Sequence, residues 1–95
     1  MRQYRVYRSK YSGTSGTVSA RRQLKVTYDL GDIRWFESGA RVAWDYSEDI
    51  DGNHKRAVMA AVEKNLTRLS GTVEDVHFGG DDGNGILWVV IVDVR

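Results

Sequence analysis

The sequence predicts a single α+β domain over residues 1–95, with one helix on one face of a mostly antiparallel sheet in the order β-β-β-α-β-β. Two observations predict it: several segments alternate apolar and polar residues as strands do, and one segment repeats its apolar residues at helical spacing. The 95-residue length is that of one domain with a modest core. Ten glycines and no proline leave glycine to mark the turns.

Alternation predicts three strands in the first half of the chain. Tyr4 and Val6 indicate a short first strand, and residues 9–17, rich in Gly, Ser and Thr, predict a flexible hairpin tip. The clearest strand of this half has apolar residues at Leu24, Val26, Tyr28 and Leu30. A third strand is indicated by Val42, Trp44 and Tyr46.

A helix is predicted after the third strand, because apolar residues recur there at spacings of three and four. These residues are Val58, Ala61, Val62, Leu66 and Leu69. Asp49 or Asp51 can accept hydrogen bonds from the first free amides, and Gly52 favours a start near Asp51 because glycine is costly inside a helix. Gly71 is expected to end the helix after Ser70.

Two further strands follow the helix. Val76 and Phe78 indicate the fourth strand, and residues 79–85 indicate a glycine-rich loop after it. The apolar run Ile86–Val92 predicts a fifth strand that is central in the sheet and covered on both faces. The residues predicted to be buried are Trp44, Val62, Leu66, Trp88, Val90 and Val92.

The charges are divided unequally along the chain. Residues 1–34 hold eight basic and two acidic residues, whereas residues 35–95 hold six basic and eleven acidic residues, although the formal net charge is only +1. Such asymmetry indicates a charged partner.

Cations and aromatic rings interleave near the N-terminus, as they do on surfaces that bind phosphates and unpaired bases. The candidate contact residues there are Arg5, Tyr7, Arg8, Lys10, Tyr11, Arg21 and Arg22. The alternative is a solvated sheet face whose tyrosines pack partly into the core. A second candidate is the segment containing Arg34, Trp35 and Phe36, since Trp and Arg are common interface anchors. Its alternative is a loop folded over the end of the sheet.

Sites for metals, cofactors or catalysis are not indicated. Residues 47–53 resemble a calcium loop, but Val58 falls where the bidentate Glu is required, and residues 79–85 lack the Lys-Ser/Thr pair of a phosphate loop. The chain has no cysteine, and neither His54 nor His77 has a second ligand at zinc spacing. We therefore expect no cofactor and no enzyme activity.

These patterns predict a non-enzymatic binding protein that docks on a larger protein or nucleoprotein assembly as a stoichiometric inhibitor or adaptor. The small, proline-free and cysteine-free chain looks like the accessory proteins of phages and mobile elements. Direct nucleic-acid binding by the basic hairpin and self-assembly through a strand edge are the alternatives. With no cysteine, no apolar N-terminal stretch and no membrane-length apolar run, a cytoplasmic location is expected.

Overall fold

The protein folds as an α+β domain, as the sequence predicts. A computed structural model describes residues 1–23, 39–66, 71–81 and 83–94. Its elements are β1 (Arg2–Ser12), β2 (Thr17–Arg22), β3 (Ala40–Ala43), α1 (Ile50–Leu66), β4 (Gly71–Asp81) and β5 (Ile86–Val94). No helix in this part of the chain has the length and apolar character needed to cross a lipid bilayer.

The five strands form one sheet in the order β3-β2-β1-β5-β4, and every neighbouring pair is antiparallel. β1 is the central strand. Tyr7, for example, lies between Arg22 of β2 and Trp88 of β5. The helix α1 crosses one face of the sheet and contacts β2, β3 and β1 most extensively.

The N-terminal hairpin has longer strands and a tighter turn than predicted. Only residues 13–16 form the turn, with Gly16 N donating to Ser12 O at 2.9 Å and Gly16 at a φ of 61°. The residues on either side extend the strands because β1 and β2 supply cross-strand hydrogen bonds to each other, and β-branched Thr17 suits a strand. β2 was therefore missed, and the predicted strand at residues 24–30 lies outside the described residues.

β3 ends at Ala43 rather than continuing to Tyr46, because a buried asparagine pulls the chain away from the sheet. Asn53 is fully buried, and its Oδ1 accepts from Asp45 N at 2.7 Å. Its Nδ2 donates to Asp45 O at 2.8 Å and to Asp49 O at 3.0 Å. The side chain thus occupies backbone groups that would otherwise extend the strand.

The helix begins at Ile50, one residue before the predicted start. Asp49 caps it, accepting from Gly52 N at 2.6 Å. Gly52 lies in the first turn, where a Cβ would come within 2.8 Å of the capping oxygen, so glycine lets the cap approach. The predicted end of the helix at residues 67–70 lies outside the described residues, and Gly71 begins β4.

β4 and β5 form a hairpin whose strands are also longer than predicted, since β4 continues to Asp81. The expectation that β5 is the central strand is wrong, because β1 takes that place and β5 lies beside it. Trp88, Val90 and Val92 are buried beneath the helix side of the sheet, whereas Leu87 and Val89 on the other side remain partly exposed. Among the described elements, only one helix is available to cover the sheet, and it covers one face.

The buried core lies between α1 and the sheet. It contains Tyr7, Val18, Ala20, Ala57, Val58, Ala61, Val62, Leu66, Trp88, Val90 and Val92. Five of the six residues predicted to be buried are in this core. The sixth, Trp44, is only half-buried, because it follows the end of β3 and packs at the margin against Tyr11, with 4.7 Å between ring centroids.

Truncating a core side chain of the helix is expected to destabilise the domain. Leu66→Ala should lower the free energy of unfolding by about 2–5 kcal/mol, through lost burial and the cavity left behind. Urea denaturation measures the change. Lys55→Ala, at an exposed position of the same helix, is the control and should change stability by less than about 0.5 kcal/mol. Equal effects of the two substitutions would contradict the assigned helix face.

Candidate functional site

Side chains of the central strand β1 alternate between the two faces of the sheet. Arg5, Tyr7 and Ser9 point toward the helix and are buried. The alternate residues point to the opposite surface, which no described element covers. We call this surface the helix-free face; it is formed by Tyr4, Val6, Arg8, Lys10, Ser19, Arg21, Arg41, Leu87, Val89 and Ile91.

One end of the helix-free face carries four cations. Arg8 lies directly opposite Arg21 in the β1–β2 register, and Ser19 lies between Lys10 of β1 and Arg41 of β3. Together they border a cleft of about 310 Å³, which we call the basic cleft. The described residues that line it are Arg8, Lys10, Ser19, Ala20, Arg21, Gln23, Gly39, Ala40 and Arg41, and none of these nine carries a carboxylate.

A glutamine positions one of these cations. Gln23 extends the line of β2, where its backbone N donates to Val6 O at 2.7 Å. Its side-chain Oε1 accepts from Arg8 Nη1 at 3.0 Å, and its Nε2 donates to Arg21 O at 3.3 Å. Gln23 thus joins the Arg8 side chain of β1 to the backbone of β2.

Aliphatic side chains occupy the middle of the helix-free face. Val6 lies opposite Val89, and the neighbouring rows add Leu87 and Ile91, all partly exposed. We call Val6, Leu87, Val89 and Ile91 the aliphatic strip. Tyr4 borders it with 68% of its surface exposed. Open faces of antiparallel sheets are usually polar, so an apolar strip here indicates a contact surface.

Paired charges lie on the other side of the aliphatic strip from the basic cleft, along β4 and near the N-terminus. Arg2 Nε lies 2.8 Å from Glu74 Oε2, and His77 Nε2 lies 2.9 Å from Asp75 Oδ2. The terminal ammonium of Met1 lies 2.9 Å from Asp93. The described carboxylates of this face are thus separated from the basic cleft by the aliphatic strip.

Two residues predicted to contact a partner lie inside the domain instead. Arg5 is only 3% exposed, and its Nε and Nη2 donate to Gln3 Oε1 at 3.3 and 3.1 Å. Tyr7 is fully buried, with its hydroxyl 3.3 Å from Asn65 Nδ2. The strand period places both on the helix side, so neither belongs to an exposed contact surface.

The other predicted contact residues are also divided. Two of them lie on the helix side of the sheet. Tyr11 packs against Trp44 there, and Arg22 is half-buried opposite Tyr7. Arg8, Lys10 and Arg21 share the helix-free face. The remaining three, Arg34, Trp35 and Phe36, lie outside the described residues. Arg41 was missed, although its alternation with Val42 marks it as the outward residue of a strand.

The helix side contains a buried polar cluster that joins three elements. Ser9 Oγ of β1 lies 2.7 Å from His54 Nδ1 of α1 and accepts from Trp88 Nε1 of β5 at 2.8 Å. The serine hydroxyl also lies 3.4 Å from Ile86 O, and the histidine tautomer decides which of Ser9 and His54 donates to the other. Ser9 is fully buried and His54 is 5% exposed, so the pair joins the helix to the sheet inside the domain.

The described residues contain no group of three or more His, Asp or Glu side chains arranged to hold a metal ion. Comparison with protein-family models, curated proteins and solved structures gives no significant match.

Burial of His54 predicts a pH-dependent stability. Desolvation lowers the pKa of His54 below its ordinary value of 6.5, outweighing the opposing effects of Asp51 and Asp81. The unfolded chain then binds this proton more readily than the folded one. The full stabilisation should be present above pH 6.5. It should decrease as the pH falls from 6.5 to the folded-state pKa of His54.

The free energy of unfolding, measured by urea denaturation across this range, should change by at most about 1.4 kcal/mol per pH unit, because one proton is involved. Histidine NMR titration assigns the group directly. His77→Gln, which removes the exposed histidine, should keep the slope. A folded-state pKa of His54 above 6.5 would contradict the burial argument.

Proposed function

We propose that this protein is a non-enzymatic binding domain that docks on a protein partner through the helix-free face. The observation that carries the proposal is the aliphatic strip bordered by the basic cleft on one continuous surface. Protein interfaces combine an apolar centre with a polar and charged rim in this way. The partner surface should present apolar side chains opposite the strip and negative charge opposite the cleft.

The distribution of aromatic rings favours a protein over a nucleic acid. Strand alternation separates the N-terminal rings from the cations: Tyr7 is in the core and Tyr11 is on the opposite face. Tyr4 is the one tyrosine of β1 that shares a face with the cations. A surface that binds single strands needs several rings beside its cations, because stacking supplies about 1–3 kcal/mol per base.

The face is a better docking surface than the edges of the sheet. At the β3 edge, Arg56 Nη2 donates to Ala43 O at 2.7 Å and Lys64 Nζ lies 3.4 Å from Gly39 O. The β4 edge carries two register irregularities. Capped carbonyls and bulges both hinder the addition of another strand, which argues against self-assembly through an edge.

A single binding face on a small domain suits a stoichiometric inhibitor or adaptor of a larger assembly. An accessory role in a phage or mobile element is compatible with this proposal, and the composition of the chain is its only support. Nucleic-acid binding remains the second candidate, because the basic cleft can neutralise phosphates.

Site-specific photo-crosslinking in the host cell tests the proposed face. With the crosslinker at position 89, we expect one protein adduct of defined stoichiometry. Val6→Glu, which introduces a charge at an exposed position of the strip, should reduce the adduct at least about tenfold, as expected when a charge is buried without a partner. Ile50→Glu is the matched control, because Ile50 is exposed on the helix. It should leave the adduct unchanged.

The competing function predicts a different outcome. A single-stranded oligonucleotide should bind with an affinity that falls steeply with salt, by about 0.7 log units per phosphate contact for each log unit of salt. Tight oligonucleotide binding that is insensitive to Val6→Glu would replace the protein partner with a nucleic acid. Equal loss of the protein adduct in Val6→Glu and Ile50→Glu, with both variants folded, would remove the helix-free face from the proposal.

A further inference from the structure

The aliphatic strip is narrow and runs along the strands rather than across them. Leu87, Val89 and Ile91 occupy every second position of β5, and Val6 lies beside Val89 on β1. The strip is about 13 Å long from Leu87 to Ile91, because a strand rises about 3.3 Å per residue. Its width is that of two neighbouring strands, or about 10 Å.

Charged and ionisable side chains border the strip on both sides. Arg21 of β2 lies beyond β1, and on the other side Asp75 and His77 of β4 lie directly beside two strip residues of β5. All three of these side chains are exposed. A partner that covered much more than the strip would remove them from water, which is costly unless each charge is paired.

The dimensions of the strip fit one α-helix better than a second sheet. A helix with its side chains is about 10–12 Å across, and its apolar stripe covers about the width of two strands. A second sheet would lay further strands over β2 and β4 and would bury the charges that these strands carry. The width of the strip therefore selects a helix as the covering element.

The cations beyond β1 indicate the charge of that helix. Lys10, Arg21 and Arg41 are exposed, and none of the ion pairs found among the described residues includes them. On the β4 side, in contrast, Glu74 already lies 2.8 Å from Arg2. Acidic side chains on the flank of the helix that faces β2 and β3 would complement the three cations.

We propose that the aliphatic strip binds an amphipathic α-helix of a different protein, with acidic side chains on the flank that faces β2 and β3. This inference rests on the proposed function for the docking face and names the element that the partner presents. Apolar side chains spaced three and four residues apart lie on the strip, as in other surfaces that bind helices. A second copy of this chain does not fit, because α1, the helix that the structure describes, uses its apolar face in its own core.

The spacing of crosslinks tests which element covers the strip. A photo-crosslinking residue is placed at position 87 in one variant and at position 91 in another, and its attachment sites on the captured protein are mapped by mass spectrometry. The two positions are about 13 Å apart, a distance that a helix spans in about nine residues and a strand in about four.

We expect the two attachment sites to lie about seven to eleven residues apart within one segment, since the crosslinker has some reach. This spacing, rather than the capture of a protein, is the supporting result. A crosslinker at position 55, which is exposed on α1, is the control and should not form the same adduct.

The charge of the helix is tested with the purified captured protein. In fluorescence anisotropy at constant ionic strength, Arg21→Glu and Arg41→Glu should each weaken binding at least about fivefold, because each reversal brings like charges together. Lys55→Glu, the same charge change on the exposed surface of α1, is the matched control and should bind like the wild type. Unchanged binding of both arginine variants would overturn the acidic flank.

Three other results would overturn the helix. Attachment sites about four residues apart would assign the strip to an extended strand. An adduct of two copies of this chain would assign it to a homodimer, and an adduct with RNA or DNA to a nucleic acid. In the first two cases the helix-free face keeps its role in docking a protein, and only the helix is lost. Absence of any adduct at positions 87, 89 and 91 would remove the proposed function together with the helix.

Discussion

The alternation of side chains along β1 is the constraint on which the rest of this structure depends. β1 is the central strand, paired with β5 over Arg2–Ser9 and with β2 over Tyr7–Ser12, so its register cannot shift by one residue without exchanging the two faces. In the observed register, Tyr7 and Ser9 enter the core while Arg8 and Lys10 reach solvent. The opposite register would bury Arg8 and Lys10 beneath the helix at a large desolvation cost.

Two buried polar residues of the helix maintain this arrangement. His54 holds α1 on β1 and β5 through Ser9 and the indole of Trp88. Asn53 binds the segment between β3 and α1, where it pairs with the backbone of Asp45. Because both contacts attach the helix to the same side of the sheet, no described element covers the aliphatic strip and the basic cleft on the other side. The polar core and the exposed face are consequences of one packing arrangement.

The sequence predicts the order of elements and most of the core, because helical spacing and strand alternation are local properties. It mispredicts features that arise from pairing between distant segments. The Ser- and Thr-rich residues around the first turn become strand because β1 and β2 supply hydrogen bonds to each other. β3 stops at Ala43 because of Asn53, ten residues further along the chain, and no periodicity indicates that contact.

The candidate surface was only partly predictable for the same reason. The excess of cations near the N-terminus is visible in the composition, but a composition does not assign residues to faces. Applying the strand period to residues 4–11 would have separated Arg5 and Tyr7 from Arg8 and Lys10. Finding Arg41 beside them required the β2–β3 pairing, which joins segments about twenty residues apart.

The chain contains no cysteine, so single cysteines placed along β1 report the alternation directly. The measurement is the rate of thiol labelling in the folded protein for Tyr4→Cys, Val6→Cys, Arg8→Cys and Lys10→Cys against Arg5→Cys, Tyr7→Cys and Ser9→Cys. The first set should label rapidly and the second should be protected. Equal rates along the strand, or protection of the first set in the free protein, would contradict the assignment of the two faces.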